Sequence, residues 1–230
     1  MRKYDVFLFD ADGTLFDYDQ AEAYALKNMF DYYGLIYSDD VRAKYREINS
    51  HEWLKYETGE ISKDELQVSR FRRFFDYLEL NLDPGEFNKK YLNELGKGSF
   101  LVDGALDICR FINSFNKKIY IITNGILATQ QSRIKHSLIR DYISDFFVSE
   151  YVGFQKPQIE YFEYVLSHIS HNGKEKILII GDSLTADILG GINSGIDSCW
   201  LNISGAENNT GIRPTYEIKK LAELEGFVDK

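Results

Sequence analysis

The sequence predicts an α/β fold: a doubly wound parallel sheet with an α-helical domain inserted after the first strand. Val6–Phe9 is an unbroken apolar run, typical of a strand that is buried on both faces. Helical patterns without a convincing strand between them then occupy residues 16–95. From Val102 onward strand and helix patterns alternate, as they do in a parallel sheet with helices on both faces.

The composition limits the classes of partner. The 230 residues, 44% hydrophobic and 27% charged, suit a globular protein with a sizeable core. A net charge of −9 provides no overall basic field, so neither a nucleic acid polymer nor a membrane surface is expected as a partner. No segment approaches the ~20 apolar residues of a membrane helix, and no signal peptide is visible. We therefore expect a cytoplasmic protein, monomeric or homodimeric, with Cys109 and Cys199 as free buried thiols.

The inserted segment is predicted to contain four helices. Cap residues mark three of the starts: Ser38, Ser62 in a capping box with Glu65, and Asp83 before a proline. The predicted helices are 19–33, 38–57, 62–78 and 83–95. Most aromatic residues of this segment are expected in its core: Trp53, Tyr56, Phe71, Phe74, Phe75 and Tyr77. The expected domain division is 1–15 with 96–230 for the sheet domain and 16–95 for the insert.

The rest of the chain supplies the remaining sheet elements. Helices are predicted over 105–115, from 125 to about 138, over 158–169 and from 183 to about 195. Strands are predicted over 119–123, 146–149, 177–181, 198–201 and 216–218, followed by a last amphipathic turn or two.

The first strand leads into two neighbouring acids, Asp10 and Asp12, in a loop that Gly13 allows to turn sharply. Ligands of open α/β sheets bind beyond the carboxyl ends of the strands. Two carboxylates so close together repel each other, and one pKa rises unless a cation lies between them. The pattern therefore indicates a metal ion or a lysine at this edge, with a purely structural turn as the alternative.

Two further strands end in polar residues at the same predicted edge. Thr123-Asn124-Gly125 offers a hydroxyl, an amide and backbone N–H groups at a helix start, which suits a phosphate. Gly181-Asp182-Ser183 is followed one helical turn later by Asp187, and Lys156 stands before Pro157. Each residue alone has a structural alternative, such as a helix cap or a solvated lysine. Their arrival at strand ends in order predicts one shared site.

These four motifs resemble those of the haloacid dehalogenase-like hydrolase superfamily. The resemblance covers the whole chain, and the helical insert is similar to the first cap type of that family. Many relatives continue Lys-Pro with Asp-Pro, whereas Lys156-Pro157 is followed here by Gln158-Ile159. The resemblance implies a Rossmann-like catalytic core with an inserted cap, and a Mg²⁺-dependent phosphatase that acts on a small phosphate ester.

The resemblance also implies residue roles. Asp10 is the nucleophile that forms an aspartyl-phosphate, and Asp12 protonates the leaving oxygen and then activates water. The expected Mg²⁺ ligands are Asp10, Asp182 and the backbone carbonyl of Asp12. Asp187 either reaches the metal through water or orients Lys156.

The phosphoryl oxygens are expected to bind Thr123, the amide of Asn124 and Gly125, with Lys156 neutralising charge. Family members that dehalogenate 2-haloacids lack a carboxylate at the position of Asp12 and use no metal. A leaving halide needs no proton and a leaving alkoxide does, so Asp12 favours a phosphatase.

The substrate is predicted from a narrower resemblance. Gly190–Asn202 looks like the house-cleaning 5′-nucleotidases that act on pyrimidine monophosphates, and phosphoglycolate or a sugar phosphate is the alternative. The cap side chains that could contact the leaving group are Tyr18, Trp53, Arg70 and Arg73. The alternative is that the aromatic residues belong to the core and that the arginines are solvated. Two other classes are a phosphoaspartate signalling receiver, which the insert does not fit, and a catalytically silent binding protein, although no acid is missing.

Overall fold

The computed structural model describes residues 2–228. The chain divides into two compact units. One comprises the chain up to Tyr18 and from Ser99 onward, and the other, the helical unit, is Asp19–Gly98. Within the described part of the chain, no helix has both the length and the apolar character needed to cross a bilayer.

Helical propensity and caps build the helical unit. Its helices are α1 (Tyr18–Tyr33), α2 (Asp39–Glu57), α3 (Lys63–Leu78) and α4 (Pro84–Leu95). Ser38 and Ser62 accept the backbone N–H groups of Val41 and Glu65 at 3.3 and 3.2 Å, and Asp83 caps α4 in the same way. Each bond satisfies an N–H that the first helical turn leaves unpaired. The three starts predicted from cap residues are confirmed, and α1 begins at Tyr18, one residue before its predicted start.

Aromatic side chains form the interior of the helical unit. The Phe71 ring lies 4.8 Å from Phe87, 5.1 Å from Tyr91 and 5.3 Å from Tyr45, centroid to centroid. The predicted core placement holds for Tyr56, Phe71, Phe74 and Phe75, whereas Trp53 is half-buried. The placement of Tyr77 is wrong, because it lies off the buried stripe of α3 and is 58% exposed beneath the ammonium of Lys44.

The other unit is organised around a parallel sheet. Its strands are β1 (Val6–Phe9), β2 (Lys118–Thr123), β3 (Asp145–Val148), β4 (Ile177–Gly181), β5 (Asp197–Leu201) and β6 (Tyr216–Ile218). They form one six-stranded sheet in the order β3-β2-β1-β4-β5-β6, with every neighbouring pair parallel. This order is that of a doubly wound sheet whose direction of winding reverses beside β1. The predicted fold class is confirmed.

Strand register brings the polar strand ends together. Phe9 of β1 lies opposite Ile121 of β2 and Ile180 of β4. Because all three strands run in the same direction, the residues that follow each of them emerge at one edge of the sheet.

Helices cover both faces of this sheet. They are α5 (Ala105–Ser114), α6 (Leu127–His136), α7 (Ser149–Val152), α8 (Ile159–His168) and α9 (Leu189–Ser194). Alternate strand residues point to opposite faces, so Phe7 and Phe9 share a cluster with α5, whereas Val6 and Leu8 share one with α8. Cys109 and Cys199 are buried in the α5 cluster as free thiols.

Two local features differ from prediction. The helix expected directly after Ser183 opens as a π-helical segment, Leu184–Ile188, before α9. Ser149, expected at the end of a strand, instead begins the single-turn helix α7, which Gly153 ends with a φ of +85°. Left-handed backbone of this kind is accessible to glycine at little cost, so the turn stops there.

Candidate active site

A buried lysine joins two acids at the carboxyl edge of the sheet. Lys156 Nζ lies 2.5 Å from Asp10 Oδ1, 2.6 Å from Asp187 Oδ1 and 3.0 Å from the carbonyl oxygen of Ile122. Three acceptors match the three protons of an ammonium group. Lys156 and Asp187 are 2% and 0% exposed, so these bonds are shielded from water. A lysine therefore lies at this edge, as the paired acids predicted, but it joins Asp10 to Asp187 and not to Asp12.

The backbone of Lys156 is fixed by the strand end of β2. The Asn124 carboxamide donates to the Lys156 carbonyl and accepts from the Lys156 N–H, both at 2.9 Å. The Lys156–Pro157 peptide bond is cis. The side chain of Asn124 thus anchors the Lys156 loop, a task that its sequence position did not reveal, and its predicted phosphate contact stays a prediction.

A third acid completes a carboxylate group. Oxygens of Asp10, Asp182 and Asp187 lie within 4.8 Å of one another. The backbone N–H of Ser183 donates to Asp187 Oδ2 at 3.2 Å, and the Ser183 hydroxyl accepts from Ala186 N at 3.1 Å. Ser183 therefore acts as the cap considered for it and also fixes Asp187.

The electrostatics of this group call for a further cation. Burial raises the pKa of Asp10 well above its usual range, the charge of Lys156 opposes this, and Asp187 and Asp182 reinforce it. Asp182 is exposed as a residue, but one of its carboxylate oxygens lies beside Asp10 and Asp187. Loss of water around that carboxyl group and the charge of Asp187 raise the pKa of Asp182 to about 7. Burial lowers the pKa of Lys156, but Asp10 and Asp187 outweigh it and raise the pKa overall.

This donor set fits magnesium. With all three carboxylates ionised and one ammonium present, the group carries two uncompensated negative charges, which is the charge a divalent cation balances. Carboxylate oxygens are also the hard ligands that Mg²⁺ prefers. Both predicted ligand side chains, those of Asp10 and Asp182, belong to this group. The third predicted ligand, the backbone carbonyl of Asp12, stays a prediction.

The end of β2 presents a polar turn. The Thr123 N–H donates to the Tyr161 hydroxyl at 3.1 Å, and that hydroxyl donates to the Phe147 carbonyl at 2.7 Å. The Gly125 N–H donates to Thr123 Oγ1 at 3.0 Å. These bonds tie the Thr123 hydroxyl and the Gly125 backbone to the edge that carries Asp10.

The side chain of Asp12 is engaged by helix α6. Arg133 contacts its Oδ1, and Gln130 donates to its Oδ2 at 2.5 Å. Sequence reasoning missed both residues. The buried face of α6 contains Gln130 and Arg133 where apolar residues are usual, but the structure, and not the sequence, shows which face is buried.

The four cap candidates have differing surroundings. Arg70 is 2% exposed and donates to Asn49 and Asn88, and Arg73 pairs with Glu52 at 3.0 Å. Both arginines therefore have partners inside the helical unit. Trp53 packs edge-on against Tyr56, and Tyr18 is half-buried.

Three known proteins are similar to this chain over nearly its full length. The HAD-hydrolase YfnB of Bacillus subtilis is 41% identical over 97% of this chain and 95% of its own. Its magnesium-bound crystal structure superposes with a TM-score of 0.93 at 40% identity, covering 100% of both chains. The pyrimidine 5′-nucleotidases YjjG of Escherichia coli and PynA of Streptococcus pneumoniae are each 36% identical, over 99% of this chain and 99% and 96% of their own.

A family model agrees with these relatives. The model described as haloacid dehalogenase-like hydrolase matches residues 4–195, a range that contains every strand end of the site. The chain therefore belongs to the haloacid dehalogenase-like hydrolases.

Proposed function

We propose that this protein is a magnesium-dependent phosphomonoesterase that cleaves pyrimidine nucleoside 5′-monophosphates through a phosphorylated Asp10. The observation that supports it most strongly is the buried bridge from Asp10 through Lys156 to Asp187, in a chain whose full-length relatives include two named pyrimidine 5′-nucleotidases.

Asp10 is the proposed nucleophile. Lys156 holds Oδ1 at 2.5 Å, which orients the carboxylate, and we assign the attack on phosphorus to Oδ2. The O–P bond to Asp10 forms as the ester P–O bond breaks, and the electron pair of that bond leaves with the alkoxide. Water then cleaves the aspartyl-phosphate and releases inorganic phosphate, returning Asp10 as a carboxylate.

Asp12 is the proposed proton donor and acceptor. Its side chain is 29% exposed, so its carboxyl group can meet both substrate and water. In the first step it gives a proton to the leaving oxygen, and in the second it takes one from the attacking water.

Charge on the phosphoryl oxygens is met by several groups. Lys156 supplies a fixed positive charge. The Thr123 oxygen accepts from the Gly125 N–H, and its own O–H is the proposed donor to a phosphoryl oxygen. Asp10, Asp182 and the main-chain carbonyl of Asp12 are the residues proposed to hold Mg²⁺, which when bound neutralises phosphoryl charge. Asp187 is assigned to orienting Lys156, because their atoms are 2.6 Å apart.

The test is phosphate release from UMP, dUMP, dTMP, phosphoglycolate and sugar phosphates, with Mg²⁺ and with EDTA. We expect Mg²⁺-dependent turnover highest on the pyrimidine nucleotides. Asp10→Asn should lower it more than roughly a thousandfold, and Asp76→Asn, an exposed acid on α3, should leave it unchanged. Highest turnover on phosphoglycolate or a sugar phosphate would overturn the assignment of the substrate but not the proposed phosphatase activity. No turnover, with a long-lived phosphoryl group on Asp10 by intact mass, would support a signalling receiver instead.

A further inference from the structure

Both oxygens of the Asp12 carboxylate are held by one helix. Arg133 Nη1 contacts Oδ1, and Gln130 Nε2 donates to Oδ2 at 2.5 Å. Residues three apart on a helix lie on the same face, so Gln130 and Arg133 reach Asp12 together from α6.

The Arg133 side chain is buried inside the sheet-containing unit. Its side chain is 0% exposed, and its guanidinium lies 4.8 Å from the ring centroid of the buried Phe16. The guanidinium donates to the Asp12 carboxyl group, which keeps lone pairs to accept this bond when it also carries the proton for the leaving oxygen. The Phe16 N–H also donates to the Ala11 carbonyl at 2.8 Å, so the residue that supports Arg133 belongs to the same turn as Asp12.

The backbone at Gly125 makes room for the second contact. A Cβ on Gly125 would lie 2.4 Å from Gln130 Nε2, closer than nonbonded atoms approach. Hydrogen at this position is therefore what allows the Gln130 amide to pass the β2 turn and reach Asp12.

We propose that Arg133 and Gln130 are positioning residues that fix the Asp12 carboxyl group for proton transfer to the leaving oxygen. This inference rests on the proposed function. An aspartate that is 29% exposed would otherwise sample several side-chain rotamers, and a proton donor must lie within hydrogen-bond reach of its target. Two donors from a rigid helix select one of those orientations.

The leaving group provides a specific test. An alkoxide leaving from UMP needs a proton, whereas p-nitrophenolate, a far weaker base, needs little help. Poor positioning of Asp12 should therefore slow the first step with UMP and spare the first step with p-nitrophenyl phosphate. A merely structural defect would slow both.

The experiment measures release of the leaving group in a single turnover, with enzyme in excess and Mg²⁺ present. The variants are Gln130→Ala and Arg133→Met, with Arg133→Lys as the rescue. The controls are Gln131→Ala and Lys135→Met, exposed positions on the same helix. We expect losses of roughly 10- to 100-fold with UMP and under about threefold with p-nitrophenyl phosphate, with partial recovery in Arg133→Lys.

Equal losses on both esters, or variant rates equal to those of the controls, would overturn the inference. The proposed function would still hold in either case if the wild type turns over UMP. A wild type inactive on both esters would overturn the proposed function and this inference with it. If Arg133→Met fails to fold by thermal unfolding, Gln130→Ala decides by the same criterion, because it removes one hydrogen bond and no buried charge.

Discussion

At the scale of single residues, Lys156 separates two carboxylates in a site that excludes most water. Its contacts to Asp10 and Asp187 are 2.5 and 2.6 Å long. Removing one partner from a buried ionic cluster leaves uncompensated charge, which costs more than the cluster contributes when intact.

We predict that Lys156→Met lowers the free energy of unfolding by about 3–5 kcal/mol at pH 7 in EDTA. The loss should be smaller at pH 5, because the pKa of Asp10 is already raised and protonation then relieves the repulsion. Urea unfolding at both pH values measures this, with Lys135→Met as the exposed control. An equal loss at both pH values would contradict the charge argument.

A second buried acid lies inside the helical unit. Glu22 of α1 is 1% exposed, with Arg42 and Arg46 at 4.0 and 3.9 Å. Burial, only partly offset by Arg46 and Arg42, raises its pKa to about 7. The folded protein therefore binds a proton here that the unfolded chain releases near its ordinary pKa of 4.5.

Because this pKa is raised in the folded state, stability from Glu22 is present below about pH 4.5 and is lost as the pH rises to about 7. We predict that Glu22→Gln matches wild type near pH 5 and becomes more stable by up to about 3 kcal/mol at pH 8. Urea unfolding across this range tests it, with exposed Glu47→Gln as the control. Parallel curves for wild type and Glu22→Gln would refute it.

Individual site residues differed in how far the sequence could predict them. Asp10 follows an apolar strand, Lys156 precedes a proline, and Asp187 lies one helical turn beyond the end of another strand. These local patterns can be seen in the sequence, and the parallel sheet brings them to one edge. Arg133 and Gln130 reach Asp12 across more than a hundred residues, and local periodicity contains no information on which long side chain spans such a gap. The two hydrogen bonds between the Asn124 carboxamide and the Lys156 backbone were not predicted for the same reason.

At the scale of elements, the end of β4 is constrained by the side chain that folds over it. A Cβ on Gly181 would lie 2.1 Å from Asp187 Oδ2 and 2.5 Å from its Cβ. The second atom is close to the backbone and has little freedom to move, so the strand and the π-helical segment would have to separate.

We predict that Gly181→Ala lowers the free energy of unfolding by about 1–3 kcal/mol. Gly85→Ala in α4 is the matched control, since its new methyl group would meet only Asp83 Oδ1 at an ordinary 3.4 Å. In a helix that exchange should stabilise by roughly 0.5–1 kcal/mol. Opposite signs in urea unfolding are expected, and a neutral Gly181→Ala would contradict the packing argument.

Helix starts were predictable because a cap is a local event. Ser38, Ser62 and Asp83 each bond an N–H three residues ahead, so a short stretch of sequence contains the whole interaction. The π-helical segment was not predictable, because Asp187 there is held by Lys156, 31 residues away. Long-range contacts of this kind override the local helical pattern.

At the scale of the whole molecule, stability and metal binding should be linked. Three acids lie together at the carboxyl edge of the sheet, and two of them, Asp10 and Asp182, have a raised pKa. A cation that binds this group only in the folded state stabilises the fold by mass action. The same cation must displace protons from these carboxyl groups, so its effect depends on pH.

We predict that Mg²⁺ at about 100 times its dissociation constant stabilises the fold by about 2.7 kcal/mol, a rise of roughly 5–10 °C in the unfolding midpoint. The rise should be larger at pH 8 than at pH 6, because the pKa of Asp182 is about 7 and protons compete below it. Asp182→Asn should lose most of the rise, while the exposed Asp76→Asn keeps it. Thermal unfolding with Mg²⁺ and with EDTA measures the rise in the midpoint for the wild type at both pH values and for each variant, without any substrate. An undiminished rise in Asp182→Asn would place the cation elsewhere, since a neutral amide at this position leaves the group short of the charge that a divalent ion balances.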